Sequence, residues 1–104
     1  MFEKDLTVTL LYDLYAPMLS EKKKEVFEAY YQSDLSLAEI AEETGTSRQA
    51  VRDLIGRTKA ELIRYEEKIG LIQKRKELLS LCEELERLGG EDILAVVKKL
   101  RDII

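Results

Sequence analysis

The 104-residue sequence contains no histidine, no tryptophan, a single cysteine and a single proline. Without histidine it cannot form a Ser-His-Asp or Cys-His catalytic arrangement, an HExxH zinc site or a two-histidine iron site. The lone thiol, Cys82, excludes an internal disulfide and provides only one isolated metal ligand. We therefore expect a protein that is not an enzyme and that needs neither a metal nor another cofactor.

The sequence also lacks an apolar run of the length that a membrane-spanning helix needs. Its first residues do not resemble a signal peptide, because Asp5 and Asp13 flank or interrupt the apolar ones. Together with the single thiol, these features predict a cytoplasmic protein without membrane insertion. Acidic residues outnumber basic residues by 21 to 17, and the resulting net charge of −4 argues against a general affinity for polyanions.

Apolar residues recur at spacings of three and four with few glycines or prolines between them. This pattern predicts an all-α protein of six helices. In the first helix, the expected apolar stripe consists of Leu6, Leu10 and Leu14 with the neighbouring Leu11 and Tyr15. Pro17 ends the helix because the residue before a proline leaves helical geometry. Ser20 is the predicted N-cap of the second helix.

The third and fourth helices, over about residues 37–56, have the spacing of a helix-turn-helix motif. Ser36, followed by Glu39 as a capping box, is expected to begin the third helix, and Ser47 the fourth. Three further residues occupy structural positions of the motif. Ala41 is the small residue where the helices cross, Gly45 is the glycine in the turn, and Val51 is the aliphatic residue that closes the core.

The fourth helix is predicted to be long, because one apolar stripe continues through five turns to Gly70. A fifth helix is expected from about Leu71 to Leu88, and Gly89-Gly90 separates it from a sixth.

These helices divide the chain into two parts. Residues 1–70 would form the helix-turn-helix domain, and residues 71–104 a C-terminal helical hairpin that packs on it or on a second copy. The wide aliphatic stripe of the sixth helix favours the second copy, so we expect a homodimer.

Basic residues concentrate in the predicted motif. The window from Gly45 to Arg64 contains five basic residues against Asp53 and Glu61, a net charge of +3, so the rest of the chain carries −7. A small basic site on an acidic body favours docking of nucleic acid in one orientation, because the remaining surface repels phosphate.

A helical projection of the fourth helix places a polar face opposite its buried stripe. Arginine and glutamine make bidentate contacts with base edges, and three such residues in its first two turns are the predicted contacts: Arg48, Gln49 and Arg52. Three more are predicted to meet phosphates along the flanks: Arg57, Lys59 and Arg64. The free amides that follow Ser47 at the helix N-terminus can receive a further phosphate.

Three other features have ordinary structural interpretations. Cys82 lies in the apolar stripe of the fifth helix and is expected to be a small buried residue. Tyr30 and Tyr31 are expected to pack in the core and at its rim rather than to stack on bases. The run Lys22-Lys23-Lys24 is interpreted as the solvated first turn of a helix.

The motif and its surroundings resemble sigma-70 region 4 and, more specifically, the YlxM-like family of small bacterial proteins. The resemblance covers roughly residues 8–72 and is carried by the following segments: Leu14-Tyr15-Ala16-Pro17-Met18-Leu19, Tyr30-Tyr31, Asp34-Leu35-Ser36-Leu37-Ala38-Glu39-Ile40-Ala41, Gly45, Ser47-Arg48-Gln49-Ala50-Val51, Arg57-Thr58 and Tyr65-Glu66-Glu67-Lys68. It implies a helix-turn-helix bundle with a sigma-70 region 4-like, or winged-helix-like, DNA-binding core and no catalysis. It also implies an association with the signal recognition particle pathway, because the family's genes usually lie beside those of that particle.

The sequence departs from the family pattern after Val51. The family tends to place an aromatic residue next and a lysine before the Arg-Thr pair, whereas this chain has Arg52 and Gly56 there. The glycine removes one charge that would attract phosphate, and Arg52 restores a charge about one turn earlier. These departures bear on which bases are read and leave the predicted fold unchanged.

Two functions are therefore open at the level of the sequence. In the first, the chain is a regulatory protein that binds nucleic acid, either duplex DNA or structured RNA. In the second, the same helices dock on the RNA or on a protein of the signal recognition particle without reading a DNA sequence. RNA helices are recognised by shape and phosphate rather than by major-groove edges, so the two functions differ in whether sequence is discriminated.

Overall fold

A computed structural model of the protein describes residues 6–104. These residues form six α-helices and one 3-10 turn and contain no β-strand, so the prediction of an all-α fold is confirmed. The elements are α1 (Leu6–Tyr15), a 3-10 turn (Ala16–Met18), α2 (Glu21–Tyr31), α3 (Leu37–Thr44), α4 (Arg48–Ile69), α5 (Leu71–Leu88) and α6 (Glu91–Ile103).

Short polar side chains begin three of these helices. The Ser20 hydroxyl accepts a hydrogen bond from the backbone amide of Lys23 at 3.3 Å. The Ser36 hydroxyl accepts from the amide of Glu39, whose carboxylate in turn accepts from the amide of Ser36, both at 3.0 Å. The Ser47 hydroxyl accepts from the amide of Ala50 at 3.1 Å. Each bond satisfies an amide that the first turn of a helix leaves without a partner, which is why the helices begin at these residues.

The chain forms two compact units, one ending at Ile69 and the other beginning at Gly70. In the first unit α4 packs against α1, α2 and α3. A core cluster of this unit joins α2, α3 and α4 through five buried residues: Val26, Ile40, Ala41, Val51 and Ile55. In the second unit α5 and α6 pack against each other as a helical hairpin, with Cys82 and Val97 buried.

The buried face of α1 agrees with the prediction at Leu11 and Tyr15 and differs from it at Leu6, Leu10 and Leu14, which are not buried. Leu6 is 83% exposed, and the buried positions are Val8, Leu11, Tyr12 and Tyr15. The two tyrosines explain the rotation, because a buried tyrosine ring is stable when its hydroxyl reaches a polar partner. Tyr12 stacks on the ring of Phe27 with 4.4 Å between centroids and donates a hydrogen bond to Glu28, and Tyr15 donates to Glu66 at 2.6 Å.

Polar side chains form a hydrogen-bonded network between α2 and the middle of α4. The Lys23 ammonium lies 2.5 Å from a carboxylate oxygen of Glu61, and the Tyr65 hydroxyl donates a hydrogen bond to the same carboxylate. These contacts lower the pKa of Glu61, with the bond from Lys23 as the larger cause, and the nearby carboxylate raises the pKa of Tyr65. The network and the core together hold α4 so that its other face points outward.

Gly45, which follows α3, has a backbone φ of 69°, in the left-handed region. A side chain added there would meet no atom within 4 Å, so the cost of a substitution comes from the backbone. Gly45→Val should therefore lower the free energy of unfolding by about 1–2 kcal/mol, measured by denaturant titration. Gly45→Asn should lose less, since asparagine tolerates this conformation. If Gly45→Val is as stable as the wild type, the turn does not require a left-handed backbone conformation at this position.

Candidate nucleic-acid interface

The two helices of the motif are held at a fixed angle by the residues between them. Ala41 on α3 and Val51 on α4 are buried in the shared core, with exposed fractions of 5% and 2%. The backbone amide of Thr46 donates to the carbonyl of Ala41 at 3.0 Å, which closes the turn around Gly45. The side of α4 opposite Val51 is consequently presented to solvent.

The structure brings three of the predicted contact residues together at this surface. Arg48, Gln49 and Arg52 are all exposed, and they line one groove of about 670 Å³. The first turn of α3 and the N-cap of α4 form the rest of its wall, through Ser36, Leu37, Ala38 and Ser47. Within residues 6–104, neither arginine pairs with a carboxylate, so both guanidinium groups are available to a ligand.

Gln49 has a partner that the sequence analysis missed. Its side-chain amide donates a hydrogen bond to the Asp53 carboxylate, one turn further along α4, at 2.9 Å. The spacing of four residues is the signal that could have revealed this contact. The bond orients Gln49 and uses one of its two N–H donors, which leaves the other N–H and the amide oxygen for a base.

The remaining predicted basic residues lie at three separate places. Lys59 lines a groove of about 350 Å³ with Tyr30, Tyr31 and Arg52. Arg57 lines a different groove, of about 240 Å³, beside the turn of the motif. Arg64 is exposed, lies nearly two turns beyond Arg57 and lines none of these three grooves.

Tyr30 and Tyr31 pack as predicted. Tyr31 stacks on Phe27 with 4.3 Å between ring centroids, and Tyr30 meets Tyr31 edge to face at 5.0 Å. Both tyrosines are half-buried and border the groove that contains Lys59. Gly56 also lines this groove, and a Cβ added there would meet no atom within 4 Å.

The part of the chain from Leu6 onward has neither a cluster of metal ligands nor a membrane-spanning helix. No three histidine, cysteine, aspartate or glutamate residues there are grouped so that they could hold a metal ion. No helix in that part is long and apolar enough to cross a membrane. The Cys82 thiol is buried, as its place in the apolar stripe predicted.

Comparison with known proteins identifies the family to which this chain is similar. Residues 2–100 match the UPF0122 family model, described as "Putative helix-turn-helix protein, YlxM / p13 like". The chain is 44% identical to a UPF0122 protein of Symbiobacterium thermophilum over 94 residues, which cover 89% of this chain and 88% of that one. UPF0122 proteins of Clostridium botulinum and Clostridium kluyveri are 43% and 46% identical, covering 97% and 98% of this chain and 99% and 96% of theirs.

Proposed function

Because the chain belongs to the UPF0122 family of YlxM/p13-like helix-turn-helix proteins, we propose that it is a non-catalytic regulatory protein that binds nucleic acid through the first half of α4. One observation carries the proposal. Arg48 and Arg52 stand exposed and without a carboxylate partner among residues 6–104, beside Gln49, on the outward face of the second helix of the motif. We place this activity in the cytoplasm.

The proposed binding mode follows from the geometry of α4. Its first two turns enter the major groove of a duplex, where an arginine pairs with the two acceptors of guanine and a glutamine with the donor and acceptor of adenine. The amides that follow Ser47 at the start of α4 are close to a phosphate in this orientation. The net charge of −7 outside residues 45–64 disfavours other orientations.

A second candidate function is supported by the bond between Gln49 and Asp53. The Asp53 carboxylate that accepts this bond at 2.9 Å places a negative charge beside Gln49 on the contact face, and that charge repels phosphate. The alternative proposal is that the chain is an accessory factor of the signal recognition particle. It would dock on the RNA or on a protein of that particle and would not read a DNA sequence.

A filter-binding comparison separates the two functions. Random duplex DNA, a selected DNA sequence and a folded RNA hairpin of equal length are titrated at several salt concentrations. The first function predicts tighter binding of the selected duplex, by at least about 1 kcal/mol per specific base contact. Equal affinity for all duplexes with preference for the hairpin supports the alternative. A pull-down from bacterial cytoplasm, with and without nuclease, then shows whether the partners are nucleic acid or protein.

We also propose that the chain forms a homodimer through the hairpin of α5 and α6. Several large apolar side chains of the hairpin are exposed, with fractions from 46% to 84%: Leu78, Leu81, Leu88, Leu94, Val96 and Ile103. A helical projection places Leu78, Leu81, Leu85 and Leu88 on the same side of the hairpin as Ile93, Val96, Leu100 and Ile103. The groove of about 270 Å³ that lies on this side is bordered by Leu85, Ile93 and Val96 together with Asp92.

The opposite side of the hairpin contains an ion pair between its two helices. Arg101 on α6 lies 2.6 Å from the carboxylate of Glu86 on α5. An apolar face of two helices is suited to an identical face, because a two-fold axis pairs each residue with its own counterpart and completes a four-helix bundle. A dimer of this kind would present two copies of α4 to a duplex, which raises affinity for paired half-sites.

Sedimentation tests the dimer. The wild type should sediment at twice 12.0 kDa at micromolar concentration, and Leu81→Glu, on the apolar face, should sediment as a 12.0 kDa monomer. Ser80→Glu adds the same charge on an exposed position of the other side and should remain a dimer. A wild type that stays at 12.0 kDa as its concentration rises would rule out the dimer.

A further inference from the structure

The three consecutive lysines at the start of α2 have three different environments, which their sequence does not distinguish. Lys23 is paired with Glu61 on α4 at 2.5 Å. Lys24 is paired with Glu21, three residues earlier, at 2.9 Å. Lys22 is exposed and has no carboxylate partner among residues 6–104. Of the three charges, that of Lys22 is the one available to a ligand.

Lys22 lies beside the helix-turn-helix motif. Together with Arg57 of α4 it lines a groove of about 240 Å³, whose other polar residues are the turn residues Thr44 and Thr46. Apolar side chains of α2 and α4, among them Val26 and Leu54, form the rest of the groove, and no acidic side chain lines it. The Thr44 hydroxyl donates to the backbone carbonyl of Ile40 at 2.8 Å and lies 3.0 Å from the Thr46 hydroxyl, so these hydroxyls already have partners. The two cations, with no carboxylate in the groove to oppose them, make a surface that suits an anion.

The position of this groove on α4 indicates which anion it suits. The projection places Arg57 about 100° around the helix from the face of Gln49, Arg52 and Gly56, whereas Arg48 and Lys59 lie on the other flank. A helix in the major groove has one sugar-phosphate strand on each side. Lys59 faces one strand, and the groove of Lys22 and Arg57 faces the other.

We propose that Lys22 and Arg57 form a binding site for the phosphodiester backbone of the duplex, a proposal that rests on the proposed function above. Because Lys22 belongs to α2 and Arg57 to α4, two elements would hold the same strand. Contact from two elements prevents α4 from rolling within the major groove, which fixes the register in which Arg52 meets a base. Lys22 would then be a nucleic-acid contact rather than a solubilising residue.

The site is tested by measuring the affinity for a mixed-sequence DNA duplex of about 30 base pairs at several salt concentrations. Log affinity falls linearly with log salt concentration, and each phosphate contact increases the magnitude of this slope by about 0.9. Lys22→Gln and Arg57→Gln should each reduce the magnitude of this slope by about one and weaken binding of all duplex sequences alike. Lys24→Gln changes the net charge equally, two residues away on the same helix, and should leave the slope unchanged. Circular dichroism checks that each variant keeps the helical content of the wild type.

The outcomes separate this site from the function on which it rests. Unchanged slopes for Lys22→Gln and Arg57→Gln, while Arg52→Ala weakens binding, would overturn the phosphate site and leave nucleic-acid binding in place. An equal loss for Lys24→Gln would also overturn it, since the effect would then be one of net charge. If the wild type binds neither the duplex nor a folded RNA hairpin, the proposed function fails and the site fails with it. An effect on the RNA hairpin alone would contradict the DNA backbone as its ligand.

Discussion

Replacing Phe27 with alanine should lower the free energy of unfolding by about 3–5 kcal/mol, the largest loss that we expect from one substitution. Phe27 is 1% exposed and lies between two rings, those of Tyr12 at 4.4 Å and Tyr31 at 4.3 Å. Alanine would leave a cavity and remove both stacking contacts. Denaturant unfolding followed by circular dichroism measures the loss.

Phe27→Leu is the matched control for this prediction. Leucine keeps most of the buried volume but not the stacking, so it should lose clearly less stability than alanine. A loss below about 1 kcal/mol for Phe27→Ala would contradict the stacking of Phe27 between Tyr12 and Tyr31, because a filled core cannot close around a missing ring at so small a cost.

The substitution Arg52→Ala should weaken binding of the preferred duplex by about 1–3 kcal/mol and change which sequence is preferred. Arg52 lines both the groove of Arg48 and Gln49 and the groove of Lys59, so it is the arginine at the centre of the exposed face. A guanidinium that pairs with guanine contributes to discrimination as well as to affinity. Competition binding against a panel of duplexes measures both effects.

Arg64→Ala is the control for Arg52→Ala. Arg64 lies on the same helix but lines none of the three grooves around the face of Arg48, Gln49 and Arg52. Its predicted role is to contact a phosphate and not a base. Its loss should weaken all sequences alike and reduce the salt slope without changing the preference. If both variants alter affinity equally and neither alters preference, then Arg52 acts only through its charge and no base is read.

The helices could be predicted from the sequence because the signals that bound them are local. Ser20, Ser36 and Ser47 bond to amides three residues away, and Gly45 ends α3 through its own backbone conformation. The outward face of α4 could be predicted for the same reason, since the helical period alone places Arg52 opposite Val51.

Apart from the local bond between Gln49 and Asp53, the features that could not be predicted from the sequence depend on distant partners. Leu6 was expected in the core, but the side of α1 that is buried is set by Phe27, Glu28 and Glu66, which lie far along the chain. The lysine run appeared uniform because the partner of Lys23, Glu61, is 38 residues away. The assignment of Arg57 and Lys59 to different grooves likewise depends on where α2 lies.

The most direct test of the central claim is the affinity of the triple variant Arg48→Ala, Gln49→Ala, Arg52→Ala for a selected DNA duplex and for a folded RNA hairpin. All three side chains are exposed, so the variant should keep the helical content and the thermal stability of the wild type. Our account predicts a loss of affinity of at least about tenfold, equal to about 1.4 kcal/mol. A folded triple variant that binds both nucleic acids as tightly as the wild type would contradict it.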